Sequence, residues 1–329
     1  MVRIRHGWFV VVLGLGLAFV TACKKDDSAA DKAGGKGGQS GKSGKSSSGE
    51  DLSLLPVDSE VVLGINVAQV QQSALWKQFV EPKLVSGEAQ KKLAEFKDKC
   101  GFDPMTSVKT VSVGLKVVGN KPDGAVVLHG IDQAKTWACI DKMKDEMARD
   151  GTEFSRDGDV GLLKSKTGDQ TAFMFVNDST VLGVLGDKAN AAGVKGFAAS
   201  SSALKTSPAF VDMYGKINAG DSVWFVVNGK LLDKAPLPVK PKALFGSVNV
   251  TDGLKLDLRM RLESPDAATQ FANLAKGQAQ QAAKMFDQID VTSEGTEVKF
   301  SIVLSNQKLQ DLVKQFAGMA GMLGGMGGP

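Results

Sequence analysis

The nine residues Leu254–Leu262, LKLDLRMRL, alternate apolar and polar without a break. Successive side chains of a strand point to opposite faces, so this run predicts a strand with one buried and one wet face. Seven more runs read as strands: Glu60–Val67, Val108–Val118, Ala125–His129, Thr171–Val176, Thr180–Leu185, Ser222–Val227 and Glu297–Leu304. Several are neighbours joined by short turns, as in VNDSTV, where Asn177 and Asp178 supply the turn chemistry. Short connections favour antiparallel pairing.

Between the strands lie helical patterns at Val70–Val80, Glu88–Lys99, Asp132–Met147 and Ser264–Phe286, with two more at Lys188–Phe197 and Gln307–Phe316. Asp132 is placed to cap its helix, and Trp137, Ile140, Met143 and Met147 fall on one stripe. Ser264-Pro265-Asp266 is a helix start with proline at the first position. The elements recur in order. The stretches Asp132–Ile140 and Asp266–Leu274 both fit D-x-A-x-x-aromatic-A-x-aliphatic, and each follows a strand pair. Val194–Phe197 matches Val313–Phe316, and strands ending in Asn66 and Asn228 each follow an Asp-Ser pair. The expected fold class is therefore α+β, with two similar units of curved antiparallel sheet and helices packed on one face. The units span residues 51–198 and 199–317. Aromatic residues make up only 6% of the chain, which suits modest, closely packed cores.

Nothing before residue 50 can join such a core. Residues 24–49 contain no apolar side chain larger than alanine, and their Gly/Ser/Lys composition predicts a flexible tether with a reach of roughly 30 Å. The Gly-Lys-Ser repeats lack the glycine a phosphate-binding loop needs, since Lys36 and Gln39 stand in its place. Upstream, Arg3 and Arg5 precede the apolar stretch Trp8–Val20. As a helix it would measure about 20 Å, short of the roughly 30 Å of a bilayer core. It suits the apolar region of a secretory signal.

That segment ends in Val20-Thr21-Ala22-Cys23, which resembles the lipobox of bacterial lipoproteins. The resemblance implies that residues 1–22 are a signal peptide, that the Cys23 thiol receives a diacylglycerol, and that the chain is cut before Cys23. The new amino terminus is often acylated too. It further implies a partner, the lipid bilayer reached through Cys23, and a place in the cell envelope. Residues 23–50 would then be the lipidated cysteine and its linker. Lys24 follows where enteric bacteria use aspartate to retain lipoproteins in the inner membrane, which leans toward the outer membrane, facing periplasm or cell surface. The folded part resembles only uncharacterised envelope lipoproteins of Gram-negative bacteria.

The charge follows the same division. The whole chain carries +4, the signal segment holds Arg3 and Arg5, and residues 24–49 carry six lysines against three aspartates, so the part from Glu50 onward is −1. A nucleic-acid partner loses its main support. With Cys23 lipidated, Cys100 and Cys139 form an even pair in an exported chain and are expected to form a disulfide.

Signals for chemistry are sparse. His129 stands alone once His6 leaves with the signal, so it reads as structural. Asp150, Asp157 and Asp159 surround glycines in RDGTEFSRDGD but lack calcium-loop spacing, so a solvated turn is expected. The carboxylates Asp145, Glu146, Asp257 and Glu263 form no motif. No catalytic residue, metal ligand or cofactor site is assigned. The glycine–methionine tail 318–329 is expected to be disordered. The resulting expectation is a non-enzymatic envelope lipoprotein that binds a protein, lipid or glycan, or serves structure. The alternatives are an apolar-ligand carrier and a carboxylate-based hydrolase of envelope glycans.

Overall fold

The computed structural model describes residues 48–312 apart from residue 120, residues 200–202 and residues 234–238. The lipobox, Cys23, the tether as far as residue 47, residues 313–316 of the last expected helix and the tail 318–329 lie outside the described residues.

Twelve strands form one antiparallel sheet. In chain order they are β1 (Val61–Asn66), β2 (Thr110–Val118), β3 (Lys121–His129), β4 (Thr152–Asp157), β5 (Val160–Ser165), β6 (Gln170–Asn177) and β7 (Thr180–Leu185), then β8 (Val223–Asn228), β9 (Ala243–Asn249), β10 (Leu254–Arg261), β11 (Gln288–Glu294) and β12 (Glu297–Leu304). Across the sheet they run β11-β12-β10-β9-β8-β1-β2-β3-β7-β6-β5-β4. The fold is α+β with antiparallel pairing, as expected. The sheet is continuous across the boundary between the two predicted units, because β1 pairs with β8 from Val61↔Val227 to Ile65↔Val223. Each half lays down three strands, sends a helix over the sheet, and returns to pair with its third strand, β7 on β3 and β12 on β10. The first half adds the hairpin β4–β5.

Strand pairing fixes which residues share a face. Val62, Val226 and Phe245 are cross-strand neighbours on one face, here the front, and all are fully buried. Their core includes Leu52 and Leu55 of the entering chain, Val194 of α5 (Ala191–Ala198) and Phe210 of α6 (Pro208–Tyr214). On the back, α3 (Gly87–Cys100) and α4 (Gln133–Arg149) cover the first half through Phe96, Ile140, Met143 and Met147. In the second half α7 (Pro265–Ala282) packs Ala268 and Ala272 against Val291 and Val298. The second half carries its long helix α7 on the back and the short α6 on the front of β8, so the expected placement on one face fits only α7. The first half carries helices on both faces, because strands such as β3, with Ala125 to Leu128 all buried, are apolar on both sides.

Local chemistry sets the helix ends. Asp132 accepts from Lys135 N at 2.8 Å, and Ser264 accepts from Ala267 N through its side chain at 3.2 Å. The predicted helix Val70–Val80 is broken. Instead, α1 (Val67–Gln72) stops at Ser73, whose hydroxyl donates to Val70 O at 2.6 Å and accepts from Trp76 N at 3.1 Å. The chain resumes as a π-helical turn, Trp76–Val80, then α2 (Glu81–Leu84). A side chain that competes for backbone hydrogen bonds ends the helix there. The expected turn RDGTEFSRDGD holds an edge strand, β4, between turns at Gly151 and Gly158, both of positive φ (83° and 64°). Asp159 beside it pairs with Lys195 at 3.1 Å.

Where the halves meet, Gly64 of β1 sits opposite Trp224 of β8. The indole lies across the glycine, so a Cβ at residue 64 would fall 2.0 Å from Trp224 Nε1. Trp224 is 2% exposed and meets Tyr214 edge-on at 5.1 Å. Gly64→Ala should force the indole out of place and cost roughly 1–3 kcal/mol, the usual range for overpacking. Urea unfolding of the variant measures this, and unchanged stability would show that the indole is not confined.

Candidate functional site

On the back of the sheet two rows of apolar side chains cross the strands. One runs Leu63, Phe225, Gly246, Leu258 and Phe300, and the other Ile65, Val223, Val248, Leu256 and Ile302. At about 4.8 Å between strands, each row from β1 to β12 is roughly 19 Å long. Leu63, Ile65, Phe225, Val248, Leu256 and Leu258 are all only half-buried, whereas Val62, Val226 and Phe245 on the opposite face of the same strands are fully buried. The first-half helices cover one end of these rows and α7 covers the other, where Phe271 meets Phe300 at 6.4 Å. Between them lies a half-open apolar floor. Gly246 adds no side chain to the middle of its row, and it has to be glycine because a Cβ there would stand 2.0 Å from the backbone oxygen of Asp257 on β10.

The front of the second half is polar. Alternation puts Asp257, Arg259 and Arg261 there, and Glu297 and Lys299 join them across β12. Glu297 is 5% exposed and accepts from Lys216 Nζ at 2.7 Å, Arg261 Nη2 at 2.7 Å and Arg259 Nη1 at 3.3 Å. Asp212 of α6 accepts from Arg261 at 2.6 Å, and Lys299 pairs with Asp257 at 2.8 Å. Burial alone pushes the Glu297 carboxyl up, but the hydrogen bonds and charges of Lys216 and Arg261 outweigh it and hold the group below its ordinary 4.5. Each charge here is answered by its neighbours, so the lattice forms the front of β10 and β12 beside α6.

A third cluster lies under the entering chain. Asp51 Oδ1 accepts from His129 Nε2 at 2.6 Å, Ser112 donates to Asp51 Oδ2 at 2.6 Å, and Thr180 Oγ1 lies 3.0 Å from His129 Nδ1. An acid, an imidazole and a hydroxyl in line are the parts of a nucleophilic triad. Here Asp51 is 1% and Thr180 3% exposed, so no substrate reaches the hydroxyl. The cluster pins the start of the domain to β2, β3 and β7.

The sequence-assigned residues fall as follows. Cys100 and Cys139 are bridged, joining the end of α3 to α4. Cys23 lies outside the described residues. Glu146, Asp257 and Glu263 each face their own lysine, Lys99 at 2.6 Å, Lys299 at 2.8 Å and Lys242 at 3.8 Å, and Asp145 is exposed on α4. Among the described residues no three acidic, histidine or cysteine groups converge as a metal site would need. A cleft beside Asp58, Lys116, Asp123 and Lys188 offers about 10 Å³, room for no more than one water and far too little for a ligand. Lys116 fills it electrostatically, reaching Asp58 at 2.5 Å and Asp123 at 3.4 Å. The apolar rows escaped sequence reasoning as a site, because each strand alone reads as ordinary core. The signal was the excess of apolar strand faces over helices available to cover them.

No helix among the described residues is long and apolar enough to cross a membrane. No family model and no curated protein matches the chain. Among solved structures, crystal form III of TP0453 aligns over 80% of this chain and 97% of its own, with a TM-score of 0.50 and 13% identity. Crystal form I aligns over 80% and 96%, at 0.49 and 12%. The chain shares its fold with TP0453.

The carboxylate of Glu297 has a lowered pKa when folded, so its contribution to stability is present above about pH 4.5 and is lost as pH falls through the folded value. Glu297→Gln should cost roughly 1–3 kcal/mol at pH 7 and flatten the loss of stability below pH 4.5. Denaturant titrations from pH 7 to 3 check both, and parallel curves for the two proteins would remove Glu297 from the acid response.

Proposed function

We propose that this chain is a lipid-anchored envelope protein whose domain is a non-enzymatic binding module, with the half-open apolar floor as its binding surface. The observation that carries the reading is the contrast between the two faces of β1, β8 and β9. The same strands are fully buried in front and half-exposed behind. A stripe of apolar side chains left in water costs about 25 cal/mol per Å² relative to a covered one, and contiguous exposed apolar surface marks sites of interaction. An apolar ligand such as an acyl chain fits a floor of aliphatic and aromatic side chains with no charged group in its rows. The lipobox at Cys23 supports the anchor, and the −1 charge of the part from Glu50 onward speaks against a nucleic-acid role. Attachment to the outer membrane, on its periplasmic or surface side, is the finer form of the proposal.

Two measurements test it. Cys23→Ser should release the protein from membranes and abolish palmitate labelling, and a variant that stays anchored overturns the anchor. The released chain should then bind a fluorescent fatty acid saturably. Leu258→Gln, in the middle of the floor, should weaken that binding about tenfold, in line with the roughly 1.4 kcal/mol such a ratio represents, with an unchanged far-UV spectrum. Equal binding by both chains would remove the floor as the site.

A further inference from the structure

We propose that the Cys100–Cys139 disulfide is a redox lock on the helical arm 67–107, and that its reduction by a dithiol frees the arm and enlarges access to the apolar floor. The second part rests on the binding reading above; the first stands on geometry alone.

The arm is held by its ends. Over residues 74–95 not one residue is buried. Neither α1, the π-helical turn nor α2 buries a side chain, and α3 buries only Phe96 and Cys100 near its C-terminus. Leu75, Trp76, Phe79 and Leu84 are half-exposed, and Val85 is 55% exposed. A segment with few buried contacts sits at the low end of local stability. At its start the arm is tied to the rest of the molecule by Gln69, which donates to Gly220 O at 3.2 Å, while Gln71 donates to Met105 O at 2.5 Å and so joins the arm's start to its own end. At the far end the arm meets α4 through the last turn of α3: the disulfide, with Cα atoms 4.5 Å apart, Cys100 Sγ against Met143 Sδ at 3.5 Å, Lys99 to Glu146 at 2.6 Å, Lys142 to Lys99 O at 3.1 Å, and Phe96, buried in the same core as Ile140 and Met143. The two lysine contacts are exposed and contribute little. The bridge is the strong link.

The arm also adjoins the floor. It leaves β1 at Val67, and Val67, Leu63 and Ile65 pack against the same back-face core. Releasing α3 from α4 loosens the wall beside the first residues of both rows.

The chemistry is ordinary thiol–disulfide exchange. Cys100 is the slightly more exposed residue of the pair, at 6% against 2% for Cys139. A thiolate of the dithiol attacks Cys100 Sγ, the Cys100–Cys139 bond breaks, and Cys139 leaves as a thiolate and takes a proton. The second thiol of the reductant then attacks its own sulfur in the mixed disulfide. Cys100 departs as a thiol, and the reductant ends as a disulfide. Two electrons pass to the protein.

Hydrogen exchange on the full chain carrying Cys23→Ser tests the lock, before and after dithiothreitol, with reduction verified by alkylation and mass. The Cys100→Ser/Cys139→Ser form serves as the permanently open state should the bridge resist the reagent. Amides of residues 67–99 should exchange at least tenfold faster once the bridge is open, with β2, β3 and β12 unchanged, and fatty-acid binding should change severalfold. Unchanged exchange in the arm overturns the lock, and so does faster exchange throughout the sheet, which would make the bridge a staple for the whole fold. Faster arm exchange without fatty-acid binding in either state supports the lock and overturns the binding reading. Fatty-acid binding with an arm indifferent to reduction does the reverse.

Discussion

The antiparallel pairing of β1 with β8 is the joint on which the molecule depends. It turns two halves with one order of elements into a single sheet. The joint is filled from the front by Trp224, whose indole occupies the space that a side chain on Gly64 would take. The front core gathers around it, with Phe210 and Tyr214 of α6 stacked at 5.6 Å and Tyr214 edge-on to the indole. Behind the joint, among the described residues, no comparable side chain closes the sheet. The half-open floor is thus the other side of the contact that unites the halves.

The two faces of the second half solve the problem of a partly covered sheet differently. In front, alternating charges answer one another, and buried Glu297 is satisfied by cations from β10 and the end of α6. Behind, the alternate positions of the same strands are apolar and only partly sheltered by α7. A strand with strict alternation must make this choice, since one set of side chains is apolar and the other charged.

Much of this was legible in the residues. LKLDLRMRL reads as a two-faced strand, and β10 is one. The caps at Asp132 and Ser264 and the Cys100–Cys139 bridge follow from local chemistry and cysteine parity. Other features depend on distance along the chain. Asp51 and His129 are 78 residues apart, and Lys216 and Glu297 are 81. No local pattern announces either contact. Four strands were missed: β4 and β11 are short on apolar residues, as strands at the rim of a sheet are, and β5 (VGLLKS) and β9 (ALFGSVN) are apolar but lack strict alternation. The break at Ser73 was missed because the apolar spacing of Leu75, Trp76 and Phe79 persists through it, while one hydroxyl diverts the backbone.

The open sheet leaves two free edges, β4 at one end and β11 at the other. On β4, Glu153 and Asp157 outnumber Arg156, and β11 carries Asp290 and Glu294 with no basic residue. Copies of the molecule brought edge to edge would meet negative charge on both sides, whichever edges approached. A ladder of unpaired backbone groups would otherwise let copies add strand to strand into fibres, and like charge on both rims opposes that growth at either end.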